Sequence, residues 1–204
     1  MKTQLTYTAL MEMEQRKRAH LINSVGGFKS VCLIGTMDNA GQTNLAIFSS
    51  IVHIGANPPL ISFIMRPDSV ERHTLSNILE TGCYTINHIN ENIYKQAHQT
   101  SARYPKDHSE FDVTGLTAEY LNGFKAPFVM ESNIKLAIEF RERINLTINN
   151  TIMVIGEIRD MHFPTDCLQE DGYLDIEQAG TVSCTGLDSY HTTSRLQRLA
   201  YAKP

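Results

Sequence analysis

Three groups of polar residues stand at junctions of the expected elements, the first of them in a strand that should be dry. Asn44, Ser49 and Ser50 interrupt the apolar run TNLAIFSSIVHI. Arg72, His73, Thr74 and Asn77 gather at the start of RHTLSNILETG, and the segment QTSARYP adds Ser101 and Arg103. A helix N-terminus presents unpaired N–H groups and the positive end of its macrodipole, and an adjacent arginine adds a bidentate donor. The second group is therefore a candidate phosphate site. The plainer alternative is that Thr74 caps the helix, Arg72 is solvated and the serines bond neighbouring backbone. A hydroxyl buried without a partner costs about 1–3 kcal/mol, so Ser49 and Ser50 need partners on either reading. They lie on opposite faces of any regular strand, so a ligand touched by both requires the strand to bend or end there.

Other chemistries lack their signatures. There is no GxSxG, HExxH, GxxxxGK[ST] or GxGxxG in the chain, which leaves no nucleophile elbow, zinc helix, P-loop or Rossmann fingerprint. His88, His98 and His108 are evenly spaced, but a strand, a helix and a loop give that spacing no ligand geometry. Cys32, Cys83, Cys167 and Cys184 form no CxxC and read as free, mostly buried thiols of a reducing compartment, which points to the cytoplasm. The NLT at Asn145 and the NNT at Asn149 are then chance matches to a glycosylation pattern. A net charge of −4 gives no reason to expect nucleic acid or an anionic membrane as partner. The amino terminus lacks the apolar core of a signal peptide, and no run approaches the ~20 apolar residues of a membrane helix.

These residues need elements to hold them. At 204 residues with 42% apolar content, the chain suits one domain over 1–204, with residues 1–25 as an amino-terminal helical extension. Leu10 to Ile22, charged and free of proline, is an expected helix. The stretch VGGFKSVCLIGTMDNAGQTNLAIFSSIVHI reads as two strands around a turn at Asp38–Gly41. In the second, Leu45, Ile47 and Ile51 point one way while Ala46, Phe48, Val52 and Ile54 point the other, as in a strand covered on both faces. In HTLSNILETG, Thr74 is the expected N-cap, Leu75, Ile78 and Leu79 the buried stripe, and Gly82 the stop. CYTINHI reads as a strand, NENIYKQAHQTSA as a helix, and Ser101–Ser132 mostly as loop. In NIKLAIEFRERI, Ile134, Leu136, Ile138 and Phe140 should face in, and Lys135, Glu139 and Arg141 out. TIMVIGEIRDMHF repeats the pattern, and the last forty residues mix turns with a short helix. Hairpin-linked strands with few helices predict a mainly β, antiparallel sheet closed into a barrel, since closure removes exposed edges.

Four segments in series extend this reading. GTMDNAGQTNLAIFSSIVHIGANPPLISFIM, RHTLSNILETGCYTIN, HQTSARYPKDHSEFDVTGLT and APFVMESNIKLAIEF resemble the flavin reductase-like family of FMN-binding split barrels. The likeness runs from about Phe28 to Phe140, with a weaker echo in GLDSYHTTSRLQRLAYAKP. It implies a Greek-key-type split β-barrel that forms a homodimer and holds FMN non-covalently near the subunit interface. It places Asn44, Phe48, Ser49 and Ser50 along the isoalloxazine and ribityl chain, and Arg72, His73, Thr74 and Asn77 at the phosphate. Ser101 and Arg103 would lie on a loop closing over the cofactor, and Tyr190 or His191 would border the flavin. The implied activity is an NAD(P)H:flavin reductase, with hydride passing from nicotinamide to flavin N5, which needs no protein nucleophile. The alternative is an FMN-binding electron carrier without a nicotinamide reaction of its own.

Overall fold

The computed structural model describes residues 1–67 and 72–203. Two helices open the chain, α1 (Tyr7–Glu12) and α2 (Gln15–Val25). The single helix expected over Leu10 to Ile22 is thus divided. Glu14 starts a second helix, its carboxylate accepting from the Arg16 and Lys17 N–H groups at 2.8 and 2.9 Å. Neither helix buries a residue.

The strands and remaining helices follow in chain order. β1 (Lys29–Ser30), β2 (Cys32–Met37), β3 (Thr43–Phe48), β4 (Val52–Ala56) and β5 (Pro59–Met65) precede α3 (His73–Thr81) and β6 (Cys83–His88). Then come α4 (Tyr94–Gln99), α5 (Glu110–Thr114), β7 (Ala118–Glu119), β8 (Phe128–Val129), β9 (Lys135–Leu146) and β10 (Thr151–His162). After one 3₁₀ turn at Thr165–Cys167, β11 (Ser183–Thr185) and β12 (Ser189–His191) complete the set. The short helix expected in the last forty residues amounts to that single turn.

Seven strands form one antiparallel sheet in the order β3-β2-β6-β9-β10-β5-β4, and β1-β11-β12 form a second, smaller one. The expected closure is not found. Among the described residues, β3 and β4 are the two edges of the large sheet, although only three residues separate them in the chain. The single strand expected through Ile54 ends at Phe48 and resumes at Val52. Ser50 shows why the backbone ladder stops there. β4 pairs with β5 at Val52 and Ser62, so two further steps would set Ser50 opposite Ile64. The Ser50 hydroxyl takes that place, donating to the Ile64 carbonyl at 3.0 Å and accepting from its N–H at 3.1 Å. A side chain finishes the ladder where the backbone has turned away.

Alternation along β2 feeds two cores on opposite faces of the sheet. Cys32 and Ile34 join Phe63, Ile78, Tyr84, Ile86 and Ile138 on one side. Val31 and Leu33 join Leu45, Ile89, Phe111 and Val182 on the other. β9 follows its predicted pattern, with Ile134, Leu136 and Ile138 buried and Glu139 and Arg141 outside in ion pairs. Lys135 departs from it. Its ammonium is buried, bonded to the Glu119 carboxylate and to the Met130 carbonyl at 3.1 Å, because the β7–β8 ribbon covers a position that the alternation leaves in solvent. Leu79, expected in the stripe of α3, is exposed; Thr74 and Asn77 are buried beside Leu75 and Ile78 instead.

Candidate functional site

Where α3 crosses β2 and β3, a buried polar seam forms. α3 is fixed by Leu75 and Ile78 in the core and stopped by Gly82 at φ 73°, whose N–H bonds the Ile78 carbonyl. Thr74 and Asn77, three residues apart, therefore share its inner face. Thr36 and Asn44 are direct partners in the β2–β3 ladder and meet them from the sheet. The Asn44 amide donates to the Thr74 hydroxyl at 3.1 Å, and the Asn77 amide donates to the Thr36 hydroxyl at 3.1 Å. Asn77 Oδ1 is buried with no partner. Thr74 is not the N-cap: that position is Arg72, which offers no side-chain bond to the helix, and the Thr74 hydroxyl turns inward to Asn44. The first N–H groups of α3 are left without a side-chain cap.

A third wall comes from residues 106–110. The Ser109 and Thr43 hydroxyls are hydrogen-bonded at 2.7 Å, and the Glu110 carboxylate accepts from the Leu45 N–H at 2.8 Å. Burial raises the Glu110 pKa, while the Leu45 N–H, its own N–H and the nearby His73 act in the other direction. Lys106 reaches across to Asp38 at 3.6 Å. Between these walls lies a narrow cleft of about 10 Å³, with Thr43 and Asn44 as floor, His73 and Asn77 on one side and Lys106 and His108 on the other. At the mouth of α3, Arg72 has its pKa lowered by burial and then by the charges of Arg103 and Arg66. Among the described residues none of these three arginines forms an ion pair; Arg72 Nε donates to the Pro67 carbonyl at 3.3 Å. Among the described residues, positive charge is thus concentrated there without an ion-pair partner.

The twelve residues singled out in the sequence separate into two sets. Asn44, Arg72, His73, Thr74 and Asn77 come together, with Arg103 near Arg72 and Ser101 exposed on the same loop. Phe48 packs edge-on against Phe63 in the core, with centroids 4.8 Å apart, and Ser50 is bonded to the Ile64 backbone. Ser49 sits by the Cys184 thiol, whose pKa burial raises and Lys29 and Ser49 moderate. Tyr190 bonds His98 at 2.9 Å, and His191 bonds Thr185 at 2.9 Å in the small sheet. Thr36, Asp38, Arg66, Lys106, His108 and Glu110 were not anticipated. Thr36 alone had a signal, a hydroxyl in an otherwise apolar strand; the others come from turns, loops and the first residue of the short α5, without periodicity. A second cleft of about 440 Å³ lies on the far side of Asp38, by Asn39–Gly41, Cys83 and Lys125. No three metal-ligating side chains gather among the described residues.

A family model for the flavin reductase like domain matches residues 27–179. The chain belongs to the flavin reductase-like family. Its fold matches the crystal structure of a split-barrel protein from Shewanella frigidimarina NCIMB 400 assigned as a flavin reductase. That chain is 52% identical, with a TM-score of 0.95 over 98% of this chain and 100% of the other. The flavoredoxin of Desulfovibrio vulgaris (Miyazaki F) is 22% identical over 86% of this chain and 92% of its own, with a TM-score of 0.74, and supports the fold alone. An uncharacterized protein of Aquifex aeolicus (strain VF5) is 29% identical over 103 residues, half of this chain and 53% of its own length. Members of this family are flavin-binding proteins, and the seam suits a flavin on two counts. The orphaned Asn77 oxygen lacks a donor, which a ribityl hydroxyl would supply, and the guanidinium groups, without an ion pair among the described residues, would suit an anion.

Proposed function

We propose that this flavin reductase-like protein is an FMN-dependent oxidoreductase of the NAD(P)H:flavin reductase type, acting as a homodimer in the cytoplasm. The observation that carries the reading is the set of unpaired arginines around the uncapped start of α3. Arg72 and Arg103 would hold the phosphate of FMN, with His73 and Ser101 beside them. Asn77 would accept from the ribityl chain, and Asn44 and Thr74 would keep its amide in place. Ser49, Tyr190 and His191 stand at the other end of β3 and belong to the reading as residues toward the ring. Phe48 and Ser50 contribute shape, since the core and Ile64 already engage their side chains. Bound FMN would supply a hydride acceptor at N5 for reduced nicotinamide. The protein would position the partners and exclude water. Four free thiols support the cytoplasmic assignment. The half-exposed Val52 and Ile54 on edge strand β4, and helices α1 and α2 with nothing buried, support the dimer.

The visible spectrum of the purified protein, with and without added FMN, is the direct test. A colourless protein that ignores FMN ends the reading. Arg72→Ala should weaken FMN at least tenfold, the worth of a charge-assisted phosphate contact, and leave riboflavin nearly unaffected. Anaerobic mixing with NADH and with NADPH should bleach the flavin rapidly; an oxidised flavin that persists makes the protein an electron carrier.

A further inference from the structure

We infer that Lys106 is a further anion-binding residue of this site, held in reserve by Asp38, and that it exchanges the Asp38 carboxylate for the phosphate of a phosphate-bearing ligand. The inference rests on the flavin reading above. Lys106 and Asp38 border the same cleft as His73 and Asn77. Their ion pair is long, 3.6 Å, and the lysine side chain is 54% exposed while that of Asp38 is 9% exposed. A pair this long, with its lysine half in water, holds weakly. Asp38 does not depend on it: its Oδ1 accepts from the Ala40 N–H at 3.0 Å and the Gln42 N–H at 2.9 Å, which fixes the carboxylate within the β2–β3 turn.

The chain beyond Lys106 is anchored far more firmly. Ser109 and Glu110, both buried, tie it to Thr43 and Leu45 on β3. The ammonium is therefore the movable part, on a flexible four-carbon stem with three donors to offer. At about 10 Å³, the cleft has room for about one water, so a phosphate reaches it only when the Lys106 wall gives way. Giving way frees the charge that the phosphate attracts. Asp38, immobile beside the anion, then opposes binding twice, by competing for Lys106 and by repelling phosphate.

That double opposition gives the two residues effects of opposite sign. Dissociation constants for FMN and for riboflavin, which lacks the phosphate, would be measured by flavin-fluorescence titration of the full chain. Lys106→Gln should weaken FMN about tenfold, as loss of a charge-assisted contact does, and leave riboflavin within about twofold. Lys106→Arg should restore FMN binding. Asp38→Asn, which keeps an oxygen for the Ala40 and Gln42 N–H groups, should tighten FMN about threefold through reduced repulsion and leave riboflavin unchanged. Thermal unfolding without flavin would establish that each variant is folded. The inference is overturned if both substitutions move FMN affinity in the same direction, if Lys106→Gln weakens the two flavins equally, or if neither affects FMN. A wild-type protein that binds neither flavin refutes the functional reading itself, and this inference with it.

Discussion

The Ser50→Ala substitution removes one hydroxyl and leaves two main-chain groups of Ile64 without their partner. A buried polar group left unpaired costs about 1–3 kcal/mol. Ser50 is half-buried, so water compensates in part, and the lower end applies to each group. The sum is about 2 kcal/mol, and at about 2–4 °C per kcal/mol for a chain of this size the melting temperature should fall by about 4–8 °C. Circular dichroism melts of the two proteins, with FMN titrations at 25 °C alongside, would measure it. FMN affinity should hold within about threefold, below the tenfold worth of a lost direct contact. An unchanged melting temperature with a tenfold loss of FMN affinity would refute the reasoning. The hydroxyl would then serve the ligand and not the sheet.

Two further perturbations test the core. Gly156 faces Tyr84 and Ile138 at an irregularity in the β9–β10 register. A Cβ there would lie 2.3 Å from Ile138 Cγ2 and 2.5 Å from the Tyr84 hydroxyl, so Gly156→Ala should cost about 1–3 kcal/mol by overpacking, read from the urea midpoint. Adding Tyr84→Phe should recover part of the loss, because that hydroxyl is buried with no partner. His88 bonds Thr181 at 3.1 Å, and burial lowers its pKa to about 4. The folded chain then refuses a proton that the unfolded chain accepts below about pH 6.5. The contribution of neutral His88 is complete above that pH and declines as pH falls toward 4, by about 2–3 kcal/mol at pH 4.5. Urea unfolding at pH 7.5 and 4.5 should show a smaller loss for His88→Gln than for the native chain; equal losses would acquit His88.

What the sequence makes legible is what one neighbour decides. The alternation of β9 is readable because one face of the strand is dry over Ile134, Leu136 and Ile138. The end of α3 is readable because Gly82 alone supplies a left-handed residue there. The start of α3 is legible only in part, because Arg72 and not Thr74 takes the N-cap position while the Thr74 hydroxyl turns inward to Asn44. Lys135 is misread because the Glu119 that receives it is sixteen residues away, on a two-residue strand with no periodicity of its own. Leu79 is misread because helical spacing gives a stripe but not its width, and the seam takes Thr74 and Asn77 into the space a leucine would claim. The open barrel is misread because closure depends on whether three residues, Ser49–Ile51, continue one strand or turn between two. Apolar patterning is the same in both cases.

Asn44, Thr74 and Ser50 each read in the sequence as possible ligand contacts, yet the fold already engages their side chains. Ser50 completes a sheet edge, Thr74 receives Asn44, and Thr36 receives Asn77. A group satisfied by the protein has little left to offer a ligand, since a new bond would only replace an old one. Under the proposed function, recognition would draw on what stays incomplete among the described residues at this site: a buried amide oxygen on Asn77 and the guanidinium groups of Arg66, Arg72 and Arg103, which have no ion-pair partner there. These lie within the first turns of α3 or beside it. Ser50 thus closes the ladder of the sheet, while the groups whose bonding is incomplete gather at the start of α3.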